Sequence, residues 1–178
     1  MTDSPRSLTV PLLVAFLCLV WGSTWYAIRI CVEVQPPLSS AALRFLIAGL
    51  AMAAIAPLLR RREASPPPPT WLWLVIGATN FAGSYGILYT AEKVVPSGVA
   101  AVLWAIFPLL MAGSGVLVLG ERLGPRQIAG FLVSFAGIAT VFGGNLGGIR
   151  GDQVGFALLL LCSPIVSAAG TTLVKKYG

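Results

Sequence analysis

A chain of 178 residues that is 57% hydrophobic and only 10% charged, with a mean hydropathy of +0.87, cannot clothe an apolar core in a polar surface, which excludes a water-soluble domain. The net charge of +6 does not signal nucleic acid, because the basic residues sit in short loops between apolar runs and form no stripe. Cys18, Cys31 and Cys162 have no paired spacing and histidine is absent, so no disulfide framework, metal site or haem site is expected, and no cofactor.

After a short tail, residues 1–7, the first apolar run covers about 8–30 and meets no charge before Arg29. At 1.5 Å per residue it crosses roughly 30 Å of hydrocarbon. It is too long for a signal peptide and no cleavage site follows, so it is read as a membrane helix that stays. Its last third holds Trp21-Gly22-Ser23-Thr24-Trp25. Two indoles beside a glycine form an interfacial anchor with a packing notch, or they join Ser23 and Thr24 in a polar cavity; the residues alone leave both open. Pro36 and Pro37 close this segment, and a second run covers about 38–59. It carries Arg44, which either snorkels to headgroups or points into the bundle to hold an anionic group.

Arg60-Arg61-Arg62 then marks a cytoplasmic loop, and Pro66 to Pro69 make a stiff connector. The third span covers about 71–90. Thr79, Gly83, Gly86 and Thr90 form a small-residue stripe for close helix contact, and Phe81, Tyr85 and Tyr89 form an aromatic face. Asn80 and the tyrosine hydroxyls need partners in lipid, which a neighbouring helix or an aqueous pathway would supply. The fourth span covers about 97–119, with a kink expected at Pro108 and Trp104 one turn before it, either a cavity wall or structural packing. A charged turn, Glu121 to Arg126, leads to a fifth span at about 127–142; Gly143 to Gly148 reads as a flexible loop, and a sixth run covers about 154–174 and ends in Lys175-Lys176. No aspartate or glutamate is placed inside a span; Glu33, Glu92 and Glu121 are assigned to helix ends.

Six spans put both termini on one side. Eight basic residues share that side and four (Arg29, Arg44, Lys93, Arg150) take the other, so both termini are expected in the cytoplasm. Trp21-Gly22-Ser23-Thr24-Trp25 can be set against Ala169-Gly170-Thr171-Thr172-Leu173; five spans later, the second copy would enter from the opposite side, the pattern of an inverted repeat.

The Trp21–Trp25 stretch, the Arg44-Phe45 pair, the Gly83 to Glu92 region with its tyrosines, the Pro96 to Pro108 segment and the Gly120-Glu121-Arg122 turn, in this order and spacing, resemble the EamA family of the drug/metabolite transporter superfamily. The resemblance runs from about Leu8 to Lys176. It implies an all-α, polytopic integral membrane protein of ten helices in two inverted five-helix repeats around a central cavity. Residues 8–146 would be the first repeat and 154–178 the first helix of an incomplete second, so the chain is expected to be part of a longer protein, with a homodimer as the alternative way to complete it.

The expected function is a secondary transporter, without a catalytic residue, exporting small organic metabolites such as amino acids, or drugs, across a bacterial cytoplasmic membrane by alternating access. No phosphate-binding loop is present, so ATP is not the direct energy source. The candidate substrate-binding residues are Trp21, Ser23, Thr24, Arg44, Asn80, Tyr85, Tyr89 and Trp104. Aromatic rings would enclose an apolar body while hydroxyls, the amide and Arg44 orient it. Partners are the small-molecule substrate and the bilayer, not nucleic acid. The competing reading is a bundle that transports nothing and docks through its glycine-rich faces to another protein.

Overall fold

The computed structural model describes residues 8–60, 68–145 and 150–178, and among these it is built from helices. The runs of the sequence become α1 (Thr9–Val34), α2 (Pro37–Arg60), α3 (Thr70–Ile76), a π-helical segment (Gly77–Ser84), α4 (Tyr85–Glu92), α5 (Ser97–Trp104), α6 (Phe107–Leu119), α7 (Pro125–Asn145), a 3₁₀ turn (Gly151–Gln153) and α8 (Val154–Tyr177). α3, the π-helical segment and α4 are one continuous span, Thr70–Glu92. α5 and α6 make another, Ser97–Leu119, broken at Ala105 and Ile106 just before Pro108, whose ring cannot accept an unbroken α-helix behind it. Five helices of the described residues are long and apolar enough to cross a membrane, and the fifth expected span forms the 21-residue α7. The chain is an all-α polytopic membrane protein.

Two boundaries differ from expectation. α1 runs past Arg29 to Val34 because Arg29 and Glu33, one turn apart, pair at 2.8 Å and carry the helix up to Pro36. The residues placed in a loop after the fifth span begin inside a helix: Gly143 to Asn145 belong to α7, and the rest of that loop, 146–148, lies outside the described residues. So do the N-terminal tail and residues 61–67, with most of the arginine-rich and proline-rich connector.

α8 is the centre of the packing. It lies antiparallel to the third span: Gln153, just ahead of it, donates to the Val94 carbonyl at 3.1 Å, and at the other end Tyr177 meets Trp71 edge-on at 5.6 Å. In its apolar window 44% of residues are buried, against 6% for α1 and α2, most of whose leucines, isoleucines and valines, Ile28 and Val32 excepted, face outward as a lipid-exposed surface requires. Small residues permit the close approach. A Cβ on Gly170 would overlap Thr79, and one on Gly83 would lie 3.1 Å from Val166. The small-residue stripe expected on the third span is therefore split, with Thr79 and Gly83 facing α8 and Gly86 nearest Leu38 of α2.

α6 ends on Gly120, whose φ of 68° is left-handed and favours glycine. The Gly120 amide and, at 3.0 Å, the Glu121 amide both reach back to the Gly115 carbonyl and close the end of the helix. This turns Glu121 toward α8, where Lys175 pairs with it at 2.6 Å. Glu121, Lys175, Trp71 and Tyr177 thus gather at one end of the bundle, while Arg29, Glu92, Lys93 and Gln153 gather at the other.

Candidate functional site

A cavity of about 410 Å³ opens between α1 and α2 and is backed by α4. Thr24, Ile28 and Cys31 form one wall, Ser40 and Arg44 the other, and Tyr89 part of the floor. The wall is mostly apolar, and Arg44 is the one charged residue in the lining among the described residues. Arg44 is exposed and turns toward α4. Its Nη1 donates to the Tyr89 hydroxyl at 3.1 Å, and its guanidinium carbon lies 6.0 Å from the Tyr85 ring and 5.9 Å from that of Phe45. Phe45 in turn meets Tyr85 and Phe81 edge-on at 4.8 and 4.9 Å. The aromatic face of the third span is therefore the platform that holds a cation at the cavity wall.

With a single neutral hydroxyl as its hydrogen-bond partner among the described residues, Arg44 keeps most of its five N–H donors free. A cavity with one fixed cation, no carboxylate in its described lining and apolar walls suits a small molecule that carries an anionic group on an apolar body.

The eight residues named from the sequence fall into three places. Thr24, Arg44 and Tyr89 line the cavity and Tyr85 stands behind Arg44. Asn80 and Trp104 face α8 instead. The Trp104 indole donates to Ser163 Oγ at 3.0 Å; Ser163 donates to the Ser84 carbonyl at 2.9 Å, and its oxygen lies 2.9 Å from the Ser84 hydroxyl. One donor bond and two accepted ones satisfy this fully buried hydroxyl. Asn80 accepts from Ser167 and donates to Thr171 at 3.5 Å. The polar groups that the sequence assigned to a pathway are satisfied helix to helix, so their presence does not by itself separate a transporter from a docking bundle. Trp21 and Ser23 form the third group: Trp21 is 73% exposed, and Ser23, like Thr24, donates back to the Val20 carbonyl, at 3.0 and 2.8 Å.

Sequence reasoning passed over Ser163 and Ser167, although Ser163, Ser167 and Gly170 recur at helical spacing as a small, polar seam. It assigned Glu92 to a helix end, and Glu92 is the last residue of α4, but its full burial was not foreseen. Its place one turn after Tyr89 and three before Val95, both buried, was the available signal. Among the described residues no three His, Cys, Asp or Glu side chains come together as a metal site.

The described residues form a many-span helical membrane bundle with a part-apolar cavity at a helix interface. The chain belongs to the EamA-like transporter family, whose model matches residues 8–143. It is 32% identical over its whole length to the uncharacterized transporter YvbV of Bacillus subtilis, covering 57% of that protein. It is 36% identical over 83% of its length to the uncharacterized inner membrane transporter YedA of Escherichia coli K12, covering 47% of it. With a protein of Salmonella typhimurium described as a probable amino-acid metabolite efflux pump it shares 30% identity over 92% of its length and 52% of that protein's. The chain spans about half the length of the curated relatives it matches. No solved structure matches it.

Proposed function

We propose that this chain forms one half of a secondary transporter that exports small metabolites bearing a carboxylate or similar anionic group, amino acids and their relatives first among them, across a bacterial cytoplasmic membrane. The observation that carries this reading is Arg44 held on an aromatic platform at the wall of the cavity between α1 and α2. Its unspent guanidinium donors would take the anionic group in a charge-assisted fork, the Tyr89 hydroxyl would add an orienting bond, and the apolar walls would enclose the rest. The name of the Salmonella relative, an amino-acid metabolite efflux pump, favours the same substrate class. Further spans, from a second five-helix unit or a second copy of the chain, would complete the enclosure, and rocking of the two units would expose the cavity to each side in turn. Both termini would lie in the cytoplasm, in keeping with the eight-to-four distribution of basic residues.

The test is efflux of radiolabelled amino acids from preloaded cells expressing the protein, comparing Arg44→Gln and Tyr89→Phe with the parent at equal membrane abundance. Loss of a charge-assisted bond costs about 1.5–3 kcal/mol, so Arg44→Gln is expected to lower efflux about tenfold or more. Tyr89→Phe is expected to have a smaller effect and Trp21→Phe none. Equal efflux by the parent and Arg44→Gln refutes the site.

A further inference from the structure

Glu92 is the last residue of α4, and its side chain is 0% exposed. Neither carboxyl oxygen has a hydrogen-bond partner among the described residues. The residues around it in sequence, Tyr89, Ala91 and Val95, all belong to the buried core, together with Ile28 and Val32 of α1. An ionised carboxyl buried in such a place, with no counter-charge bonded to it, costs several kcal/mol, far more than the neutral acid.

The cation that stands by is occupied elsewhere. Arg29 of α1 donates through Nε to Glu33 at 2.8 Å, and through Nη1 to the main-chain carbonyl of Glu92 itself at 2.7 Å, with a longer contact to that of Lys93 at 3.4 Å. The guanidinium is thus anchored on the backbone of the residue whose carboxyl it leaves unpaired. Other charges near this end have their own placements. Arg44 of α2 bonds Tyr89 one turn back, Lys93 is exposed, and Arg150 pairs with Asp152 at 3.4 Å. α5 and the π-helical segment carry no titratable residue. α8 carries only Cys162, which is exposed, before Lys175, Lys176 and Tyr177 at its far end.

We propose that Glu92 is a proton-binding site of this bundle, and that Arg29 is the cation that takes up its carboxylate when the proton leaves. In the arrangement seen here the carboxyl holds the proton. On release, the O–H bond breaks, the proton passes to water at this end of the bundle, and a carboxylate oxygen becomes the acceptor for an Arg29 N–H that now serves a carbonyl or Glu33. Glu33, whose side chain is 58% exposed, is left to solvent at little cost. Because Arg29 rides on α1 and Glu92 closes α4, the exchange shifts the contact between the helix that forms one cavity wall and the helix that forms its floor. The site stands whether or not the cavity carries amino acids.

Infrared difference spectroscopy of the full chain in nanodiscs, titrated from neutral to alkaline pH, reads the proton directly. The expected result is a protonated-carboxyl C=O band at neutral pH that is lost on alkalinisation, with a concurrent change in the arginine guanidinium bands, and that is missing from Glu92→Gln. Labelling the parent with ¹³C-glutamate is expected to shift the same band, which assigns it to a glutamate without relying on the folding of the variant. Absence of the band from the parent at neutral pH, its survival in Glu92→Gln, or its failure to shift with ¹³C-glutamate overturns the site. Unchanged guanidinium bands as it disappears overturn the role of Arg29.

Discussion

Replacing Gly170 by alanine sets two known effects against each other. In a helix interior alanine is favoured over glycine by about 1 kcal/mol, so propensity alone predicts a gain. Packing predicts the opposite. The new Cβ would lie 2.7 Å from Thr79 Cβ, closer still to its hydroxyl, and 3.2 Å from Asn80 Nδ2. Carbon pairs rest at about 3.5–4.0 Å, so α8 and the third span must separate by roughly 1 Å. Overpacking of this kind costs about 1–3 kcal/mol. The separation also stretches the bonds from Asn80 to Ser167 and Thr171, each worth about 0.6 kcal/mol between membrane helices. The net expectation is a loss of about 1–3 kcal/mol, read as an earlier midpoint in an SDS unfolding titration followed by far-UV circular dichroism. Gly49 supplies the control: it lies inside α2, and a Cβ added there would meet nothing within 4 Å, so Gly49→Ala is expected to be neutral or slightly stabilising. Thr79→Gly, by removing the side chain that is struck, is expected to recover part of the loss in the double variant. If Gly170→Ala unfolds at the same midpoint as Gly49→Ala, the close approach of α8 to the third span is refuted.

Ser163→Ala strips a partner from both the Trp104 indole and the Ser84 hydroxyl, and is expected to cost about 1–3 kcal/mol in the same titration; combined with Trp104→Phe it should cost less than the sum, since the two share a bond, and strict additivity would count against the network. Gly120→Ala forces a side chain into a left-handed φ of 68° and is expected to cost about 1–2 kcal/mol, whereas Gly98→Ala, with open space around it, is not; equal midpoints for these two variants would refute the turn.

Much of the bundle was legible because lipid leaves the chain few choices: apolar runs of spanning length must be helices, and prolines and charges mark where they stop. Pro36, Pro96 and Pro125 sit at helix boundaries within a residue or two of the expected ones, and the break before Pro108 was expected on the same grounds. The site was read less well because a polar residue in a membrane helix announces only that it needs a partner. Asn80 and Trp104 carry the same signal as Arg44 and Tyr89, yet the first pair find theirs on α8 and the second pair at a cavity. The difference lies in which helix faces which, a tertiary fact that periodicity does not contain.

Glu92 shows the same limit from the other side. Judged along the chain, a glutamate followed by Lys93 and closing an apolar run belongs in the headgroups, and the three glutamates at helix ends look alike. Glu33 and Glu121 do behave that way, each half-exposed and paired with a cation at 2.8 and 2.6 Å. At Glu92 the outcome reverses because its turn of helix faces inward: Leu88, Tyr89, Ala91 and Val95 are all buried, and the carboxyl is carried in with them. Arg29 then finds the main chain at the end of α4, where unpaired carbonyls and the negative end of the helix dipole already attract a cation, before it finds the carboxyl. Helix geometry therefore separates an acid from its nearest base by the reach of one guanidinium, and that separation is what makes Glu92 the candidate in this bundle to hold and release a proton.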